Sequence, residues 1–485
     1  MSENQKRSSL LRKKPIAFGE ENSALKRALG PLDLTTLGVG AIIGTGIFVL
    51  TGVAAANYAG PGLVLSFLLA GIICAFAALC YSEFASSVPA SGSAYTYSYT
   101  AFGEVIAWIL GWDLILEYGF ASAAVASGWS GYFQSLLSGF GLQLPHALSS
   151  AYNPEKGTYF DVTAAAITLL ITFLLTRGVK EAARANGIMV AIKIIVVLIF
   201  IGVGVFYVQP SNWQPFLPFG ISGVTAGAAT VFFAYIGFDA VSTAAEEVKR
   251  PQRDLPIGII ASLAICTVLY IVVSLILTGI VPFHMLNVSD PVAFAFEFVN
   301  LHGLSWIVAL GAITGITTVL LVMMYGQTRL LYSMSRDGLL SPVFSKISGR
   351  SQTPATGTWV AGIIIALFSG FISLGHLAEL TNIGTLFAFA VVSLGIIVLR
   401  KNNPDLKRGF KVPFVPWIPI LSAIGCVYLM TRLAALTWIT FFAWLVIGLI
   451  IYFMYGRHYS HLNPLRRGSK TVDQQPVKPK GNNNK

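Results

Sequence analysis

The stretch that decides the fold is residues 38–48, GVGAIIGTGIF, in the middle of the first long apolar segment. It holds four glycines and a threonine, and each glycine weakens a helix by about 1 kcal/mol relative to alanine. The segment is therefore expected to break here. At bilayer depth, backbone without helical hydrogen bonds is tolerated only where protein buries it or a water-filled cavity solvates it, so the break also predicts a binding site.

Composition predicts that this break lies in a membrane. Of the 485 residues, 55% are apolar and only 11% are charged, against about 25% charged in a soluble domain. The chain is therefore expected to be an all-α integral membrane protein. Twelve apolar segments, numbered 1 to 12, are predicted to cross a hydrocarbon core of about 30 Å. They lie at about 34–57, 61–87, 104–136, 160–178, 185–208, 221–246, 257–281, 298–330, 355–372, 377–400, 415–432 and 437–456.

The basic residues predict the orientation. The net charge of +11 would suggest nucleic acid in a soluble protein. Here, 29 of the 32 lysines and arginines fall on one side if twelve segments alternate. By the positive-inside rule, both termini are expected in the cytoplasm, with no nucleic-acid partner. The four cysteines lie inside apolar segments without metal-ligand spacing, so no metal and no cofactor are expected.

Segment 6 contains a second irregularity, VFFAYIGFD at residues 231–239, where a glycine and an acid interrupt an apolar run. Each irregular segment is the first of five. Because five is odd, two such blocks enter the membrane from opposite sides, and a structural repeat would be inverted. The expected organisation is a cytoplasmic tail (1–31), repeat 1 (32–210), repeat 2 (211–402), segments 11 and 12 (403–456) and a disordered cytoplasmic tail (457–485).

At the first break, a half-helix beginning near Gly44 to Gly46 would offer free N–H groups and a positive dipole end to a carboxylate, and Thr45 adds a hydroxyl. The alternative is that Gly40 and Gly44 only let helices pack closely. The spacing also touches a dinucleotide fingerprint, but no strand precedes it and the third glycine is misplaced.

At the second break, the carbonyls of Phe233, Ala234 and Ile236 would be left as acceptors for an ammonium group. An anion site facing a cation site indicates a zwitterion, that is, an α-amino acid. Phe233 is also a candidate lid, because an aromatic at a helix break can swing on the hinge. Met323 in segment 8 is a candidate wall of the side-chain pocket, with plain core packing as the alternative.

Three ionisable residues within spans are candidates for proton handling. Lys193 lies nine residues beyond Arg184, or about 13 Å along a helix, which is nearly mid-membrane. Burial there disfavours the charged amine, so Lys193 is expected to load and release a proton; a pairing with an acid or a polar cavity is the alternative. Glu117 and Asp239 are candidates for a gate or proton path. The alternative for Glu117 is a structural role between helices, and the alternative for Asp239 is to accept hydrogen bonds from the freed backbone N–H groups of the second break.

The Tyr-rich stretch at 94–99 is expected at the headgroup interface, where tyrosine is common in membrane proteins. No nucleophile–base pair appears, so enzyme activity is not expected.

Together, the stretches 38–48, 89–95 (PASGSAY) and 233–239, with Glu246 and Glu247, resemble the amino acid/polyamine/organocation superfamily, and within it the bacterial members of the cationic amino acid transporter family. The resemblance covers about residues 25–456. It implies the five-plus-five inverted repeat of the sodium-coupled leucine transporter, with discontinuous helices 1 and 6 and two extra helices.

The resemblance also implies roles. Ile42, Thr45 and Gly46 would bind the substrate backbone. Phe233, Ala234 and Ile236 would lie at its ammonium. Lys193 would occupy the place of an ion in sodium-coupled relatives, which favours proton symport. Eukaryotic members that prefer arginine and lysine have fourteen helices, and here twelve are predicted.

The function expected is therefore import of L-amino acids across a bacterial plasma membrane by proton symport, with small neutral substrates favoured. A cationic amino acid transporter, a proton-independent exchanger and a non-transporting sensor are the alternatives. The expected partners are an amino acid substrate, protons and membrane lipids. The sequence does not decide whether a small membrane protein also binds.

Overall fold

The structure is a computed structural model that describes residues 12–14, 28–88, 93–177, 180–347 and 353–463, with every side chain in these ranges except those of 180–186 and 246. Within these ranges every regular element is a helix, and two isolated β-bridges are the only extended pairings. Most of the two predicted tails, residues 89–92 of the motif and the side chain of Glu246 lie outside the described part of the chain.

The described ranges contain eight helical stretches long and apolar enough to cross a membrane, together with four shorter apolar helices. In chain order the α-helices are α1 (Pro31–Ile42), α2 (Thr51–Ala54), α3 (Leu63–Ser87), α4 (Ser93–Ala101), α5 (Glu104–Gly139), α6 (Val162–Arg177), α7 (Lys180–Gly204), α8 (Gly220–Val231), α9 (Ala240–Thr243), α10 (Pro251–Ile280), α11 (Pro291–Phe298), α12 (His302–Arg336), α13 (Ala355–Phe371), α14 (Leu374–Asn402), α15 (Trp417–Met430), α16 (Ala435–Ile451) and α17 (Arg457–Tyr459).

Two helices are interrupted inside the glycine-containing stretches 38–48 and 231–239. α1 ends at Ile42, Ile43 takes an extended conformation with ψ 106°, and a π-helical turn begins at Gly46. α8 runs into a 3-10 turn after Val231, and the chain then passes through Gly237 at φ 121°. Only glycine adopts that backbone readily, so the sequence determines where the second interruption falls.

The interrupted segments lie inside a shell of longer helices. α5 packs against α12 and α14, while α10 packs against α3 and α1. The helix ends that the breaks create are buried by protein on all sides, as backbone without helical hydrogen bonds at membrane depth requires.

The tyrosine stretch is enclosed by the rest of the protein. Its residues form α4, in which Tyr95, Tyr97 and Tyr99 are buried against the rest of the protein. Tyr95 donates to Asp337 and Tyr99 to Glu104, at 2.8 and 3.2 Å. These hydroxyls have a half-buried carboxylate, Asp337, and a buried one, Glu104, as partners, so they need no contact with lipid headgroups. The depth of the stretch in a membrane stays a prediction.

A buried ion cluster ties α3 to the connection after α14. The Glu83 carboxylate accepts from Arg400 Nε and Nη2 at 2.9 and 2.6 Å, and from the Val412 amide at 2.7 Å. The Nε atom of Arg408 lies 3.3 Å away, and the Glu83 side chain is 0% exposed. Two guanidinium groups and an amide therefore depend on one carboxylate.

Glu83→Ala is expected to lower the free energy of unfolding by about 3–5 kcal/mol, because it leaves two cations and an amide without their shared acceptor. The measurement is the thermal unfolding midpoint of the purified protein in detergent. Glu155→Ala, at an exposed loop position, is the control and should leave the midpoint unchanged. Equal midpoints for the two variants would contradict the prediction.

Asp161 caps α6 from a buried position. Its Oδ1 atom accepts from Ser130 Oγ at 2.7 Å and from the Ala164 amide at 2.9 Å. Burial raises the pKa of this carboxyl to about 6, from an ordinary value of 3.8, and the hydrogen bonds only partly offset that effect. The folded protein therefore retains a proton that the unfolded chain loses first.

Asp161 is expected to make stability fall as pH rises from about 4 to about 6, since the folded state binds the extra proton in that window. In Asp161→Asn the capping oxygen remains and the titration is removed. The difference in thermal midpoint, variant minus wild type, should increase by a few degrees as pH rises from about 4 to about 6. A wild-type-to-variant difference that does not change between pH 4 and pH 7 would show that Asp161 does not titrate there.

Candidate functional site

The two helix breaks lie against each other. A Cβ atom built on Gly46 would lie 3.0 Å from the Ala234 amide nitrogen and nearer still to its Cα atom. A Cβ atom on Gly237 would lie 2.8 Å from the Ala41 carbonyl oxygen. The glycines thus let the backbone of one break approach the backbone of the other, which no larger residue allows.

Tyr270 of α10 connects the breaks. Its hydroxyl oxygen lies 3.0 Å from the carbonyl oxygen of Ile42 and 2.8 Å from that of Ala234. One carbonyl belongs to the end of α1 and the other to the 3-10 turn after α8. The Ala234 carbonyl, predicted as an acceptor for an ammonium group, thus already has a donor in this conformation.

A small cavity lies where the breaks meet. Seven of the eight residues predicted to bind substrate line it, and three further residues from α5 and α12 complete the wall. The ten are Ile42, Gly44, Thr45, Gly46, Ala121, Val125, Phe233, Ile236, Val319 and Met323. The eighth, Ala234, packs on Gly46 behind it. The structure brings these residues together, and their roles toward a substrate stay predictions.

The cavity volume is about 10 Å³, room for about one water molecule. Phe233 is 6% exposed and forms part of its wall. In this conformation the cavity is thus too small for an amino acid. An amino acid would enter only after the breaks or the Phe233 side chain moved.

The polar groups that face the cavity come from the backbone and from one hydroxyl. Gly44 to Gly46 begin the second half of the interrupted helix, where N–H groups have no intrahelical partner. The Thr45 hydroxyl is buried without a hydrogen-bond partner among the described residues. Ala121, Val125, Val319 and Met323 are apolar, so the wall toward α5 and α12 offers nothing to a charged side chain.

The close-packing alternative for the glycines also has support. A Cβ atom on Gly40 would lie 2.7 Å from Val190, and one on Gly44 would lie 2.7 Å from Val319. The same glycines that open the helix therefore seat it between α7 and α12.

Lys193 lies behind the first break and does not line the cavity. It is 0% exposed, and its Nζ atom donates to the Gly40 carbonyl, to the Ile43 carbonyl at 2.8 Å and to Thr318 Oγ1 at 2.9 Å. No acidic side chain pairs with it in the described ranges. The carbonyls that the end of α1 leaves without helical donors thus take an amine as their partner.

The carboxyl groups lie on another side of the site. Asp239 accepts from the Tyr118 hydroxyl at 3.0 Å, while both carboxylate oxygens of Glu117 and of Asp113 have no hydrogen-bond partner among the described residues. Glu117 precedes Ala121 and Val125 by four and eight residues, so it lies on the same face of α5 about 6 Å from the cavity wall. Its polar neighbours include Thr385 and Asp239, and its role toward a proton or a cation stays a prediction.

Sequence reasoning missed several residues of this site. Ala121, Val125 and Val319 are small apolar residues in apolar helices, and nothing in their type marks them. Thr318 carries a hydroxyl within a long apolar run, which is a weak signal because threonine hydroxyls often bond their own helix. Tyr270 is one of 18 tyrosines, and nothing in the residues around it marks it. The partners of both hydroxyls lie more than 30 residues away in the chain.

Comparisons with known proteins identify the family of this chain. Residues 29–455 match a family model described as amino acid permease. The chain is 54% identical to a methylthioribose transporter of Bacillus subtilis, over 94% of this chain and 100% of that protein. It is 53% identical to a branched-chain amino acid permease of the same organism, over 94% and 99%. A vacuolar cationic amino acid transporter of Arabidopsis thaliana is 40% identical, over 82% and 64%.

These relatives are transporters or permeases, not enzymes, and the apolar helices make this chain a multi-pass membrane protein. The family expected from the glycine, tyrosine and phenylalanine motifs is confirmed. The chain belongs to the amino acid permease family of the amino acid/polyamine/organocation superfamily.

Proposed function

We propose that this permease imports neutral L-amino acids by proton symport, with Lys193 as the proton-coupling residue. The observation that carries the proposal is the position of Lys193, whose amine is shared between the carbonyls of Gly40 and Ile43 and the hydroxyl of Thr318. A protonated amine satisfies these three acceptors, and a neutral amine satisfies them less well. Loss of the proton therefore loosens the end of α1 at the site itself.

The substrate contacts follow from the two breaks. The N–H groups of Gly44 to Gly46 and the Thr45 hydroxyl would receive the carboxylate, and the carbonyls at 233–236 the ammonium. The apolar wall of Ala121, Val125, Val319 and Met323 favours an uncharged side chain. The name of the branched-chain relative agrees with such a side chain.

The membrane arrangement belongs to the same proposal. The eight long stretches and four shorter apolar helices are compatible with twelve spans if the Gly46–Ser87 stretch is divided at the Gly60–Gly62 turn. Its first part, 46–59, then joins α1 as one interrupted span, and α3 is the next span. We propose repeats at 32–210 and 211–402 in inverted orientation, two further spans at 403–456, both termini in the cytoplasm and the plasma membrane as location. The basic loops support the orientation.

A second candidate is transport of lysine or arginine. Glu117 lies one helical turn from Ala121 on the cavity-facing side of α5 and has two unpaired carboxylate oxygens. It would meet a long cationic side chain that extends beyond the apolar wall. The vacuolar Arabidopsis relative bears a name of this class.

Uptake into proteoliposomes decides between the candidates. Radiolabelled leucine, valine, alanine, lysine, arginine and methylthioribose would each be supplied with and without an inward proton gradient. Neutral amino acids are expected to accumulate above equilibrium only with the gradient. Methylthioribose, which has neither carboxylate nor ammonium, should not accumulate. Uptake that is indifferent to the gradient would remove the symport proposal, and preferential uptake of arginine would select the second candidate.

A further inference from the structure

A groove on the outside of the protein is separate from the substrate cavity and shares no lining residue with it. It has a volume of about 480 Å³ and is lined by one face of α10 from Gln252 to Ala264 and by Gly409 and Phe410 of the connection before α15. This set of residues is called the α10 groove below.

The α10 groove has the length of one membrane leaflet. Its positions on α10 span 252 to 264, about 18 Å of helix, against about 15 Å for half of the hydrocarbon core. Below Arg253 its lining is apolar, and Ala261 and Ala264 leave a hollow beyond Ile257 and Ile260. A single extended hydrocarbon chain fits such a hollow.

The mouth of the groove is polar and basic. Gln252 also lines an adjoining recess of about 660 Å³, whose other residues are 402–407. Arg253 and Lys407 are exposed here, and neither side chain has an ion pair within the described ranges. Asp405 is the one acid that lines either recess. The mouth thus carries one net positive charge.

The wall of the mouth is held in a fixed shape. Arg408, whose side chain is 7% exposed, donates from Nη1 to the carbonyls of Pro404 and Leu406 at 3.1 and 3.0 Å and from Nη2 to that of Asn403 at 2.7 Å. The Phe410 amide donates to Ser86 Oγ at 3.2 Å. The recess is therefore preorganised, and a ligand would not have to order it.

We propose that the α10 groove binds a phospholipid with an anionic headgroup. Its phosphate would lie at Arg253 and Lys407, and an acyl chain would follow α10 past Ala261. A basic pocket at the end of membrane helices on the side with the basic loops is the arrangement that recognises such headgroups. A lipid here would stabilise the face of α10 away from Gly258 and Ser262, which pack against α1 at Leu34 and Gly38.

The test uses the full-length protein in detergent. Phosphatidylglycerol and phosphatidylcholine with identical acyl chains are titrated in separate samples while the thermal unfolding midpoint is followed, and bound lipids are counted by native mass spectrometry. The thermal unfolding midpoint of wild type is expected to rise more with phosphatidylglycerol than with phosphatidylcholine. Arg253→Ala should weaken the apparent affinity for phosphatidylglycerol by about fivefold, the effect of one basic side chain near an anionic group. Ala261→Leu, which fills the hollow, should reduce binding of both lipids.

Two matched controls separate the groove from the general surface. Lys346→Ala removes an exposed positive charge elsewhere, and Val268→Leu enlarges an exposed apolar side chain of α10 outside the groove. Both should behave as wild type. Equal responses to the two lipids, full phosphatidylglycerol binding by either groove variant, or the same stabilisation by glycerol phosphate without acyl chains would overturn the proposal.

Discussion

Lys193→Met is expected to abolish proton-driven accumulation of substrate. Methionine has nearly the length of lysine but cannot carry a proton, so the carbonyls of Gly40 and Ile43 and the hydroxyl of Thr318 lose their shared donor. These three buried acceptors then have only water as a possible donor. The conformation of the end of α1 also no longer changes with the protonation of residue 193. The initial rate of uptake under an inward proton gradient should fall at least about tenfold, a change of about 1.4 kcal/mol in the barrier.

The measurement compares wild type and Lys193→Met in proteoliposomes, in two assays. In the first, a proton gradient is the sole driving force; in the second, unlabelled substrate inside exchanges for labelled substrate outside. Symport predicts that Lys193→Met loses the first activity. A proton-independent exchanger would show no proton-driven accumulation in either protein, and Lys193→Met would keep the exchange activity. Lys156→Met, at an exposed loop position, is the control for loss of a lysine. Wild-type accumulation by Lys193→Met would contradict the assigned role of Lys193.

Gly46→Ala is expected to abolish transport of every substrate, with or without a gradient. The added Cβ atom would lie 3.0 Å from the Ala234 amide nitrogen and closer still to its Cα atom. These are backbone atoms, which cannot rotate away as the end of a side chain can. The two breaks would have to separate. Substrate-binding groups displaced by about 1 Å lose most of their binding geometry.

Gly237→Ala tests the same contact from the other side. Here the added Cβ atom would lie 2.8 Å from the Ala41 carbonyl oxygen, and the residue would also be held at φ 121°. Gly202→Ala in α7 is the matched control, because nothing lies within 4 Å of its Cβ position. Alanine there should be neutral or slightly stabilising in a helix. Uptake and the thermal midpoint are measured together, so that loss of transport in a folded protein is distinguished from loss of folding.

The interruptions could be predicted from the sequence because glycine acts locally. Gly44, Gly46 and Gly237 stand where the backbone leaves the helix, and the preference that puts them there needs no knowledge of the fold. Lys193 stood out for a similar reason, since a lysine at mid-membrane depth always requires a partner. The identity of that partner could not be predicted, because Thr318 and Gly40 come from other helices.

The walls of the cavity and the tyrosines of α4 show what local reasoning misses. Ala121 and Val125 matter only because α5 passes beside both breaks, and small apolar residues are common in any membrane helix. Tyr95 was assigned to an interface by composition, although Asp337, more than 200 residues later, supplies its partner inside the protein. Contacts between distant helices thus decide the features that composition leaves open.

The small volume of the cavity has a consequence for proton leak under the proposed symport. A volume of about 10 Å³ holds about one water molecule, whereas a proton crosses a protein along a continuous chain of hydrogen-bonded waters. Under the proposed symport, a conformation this closed would interrupt such a chain between Thr45 and Phe233. It would act as electrical insulation across the substrate site and so help a cell to keep its proton gradient.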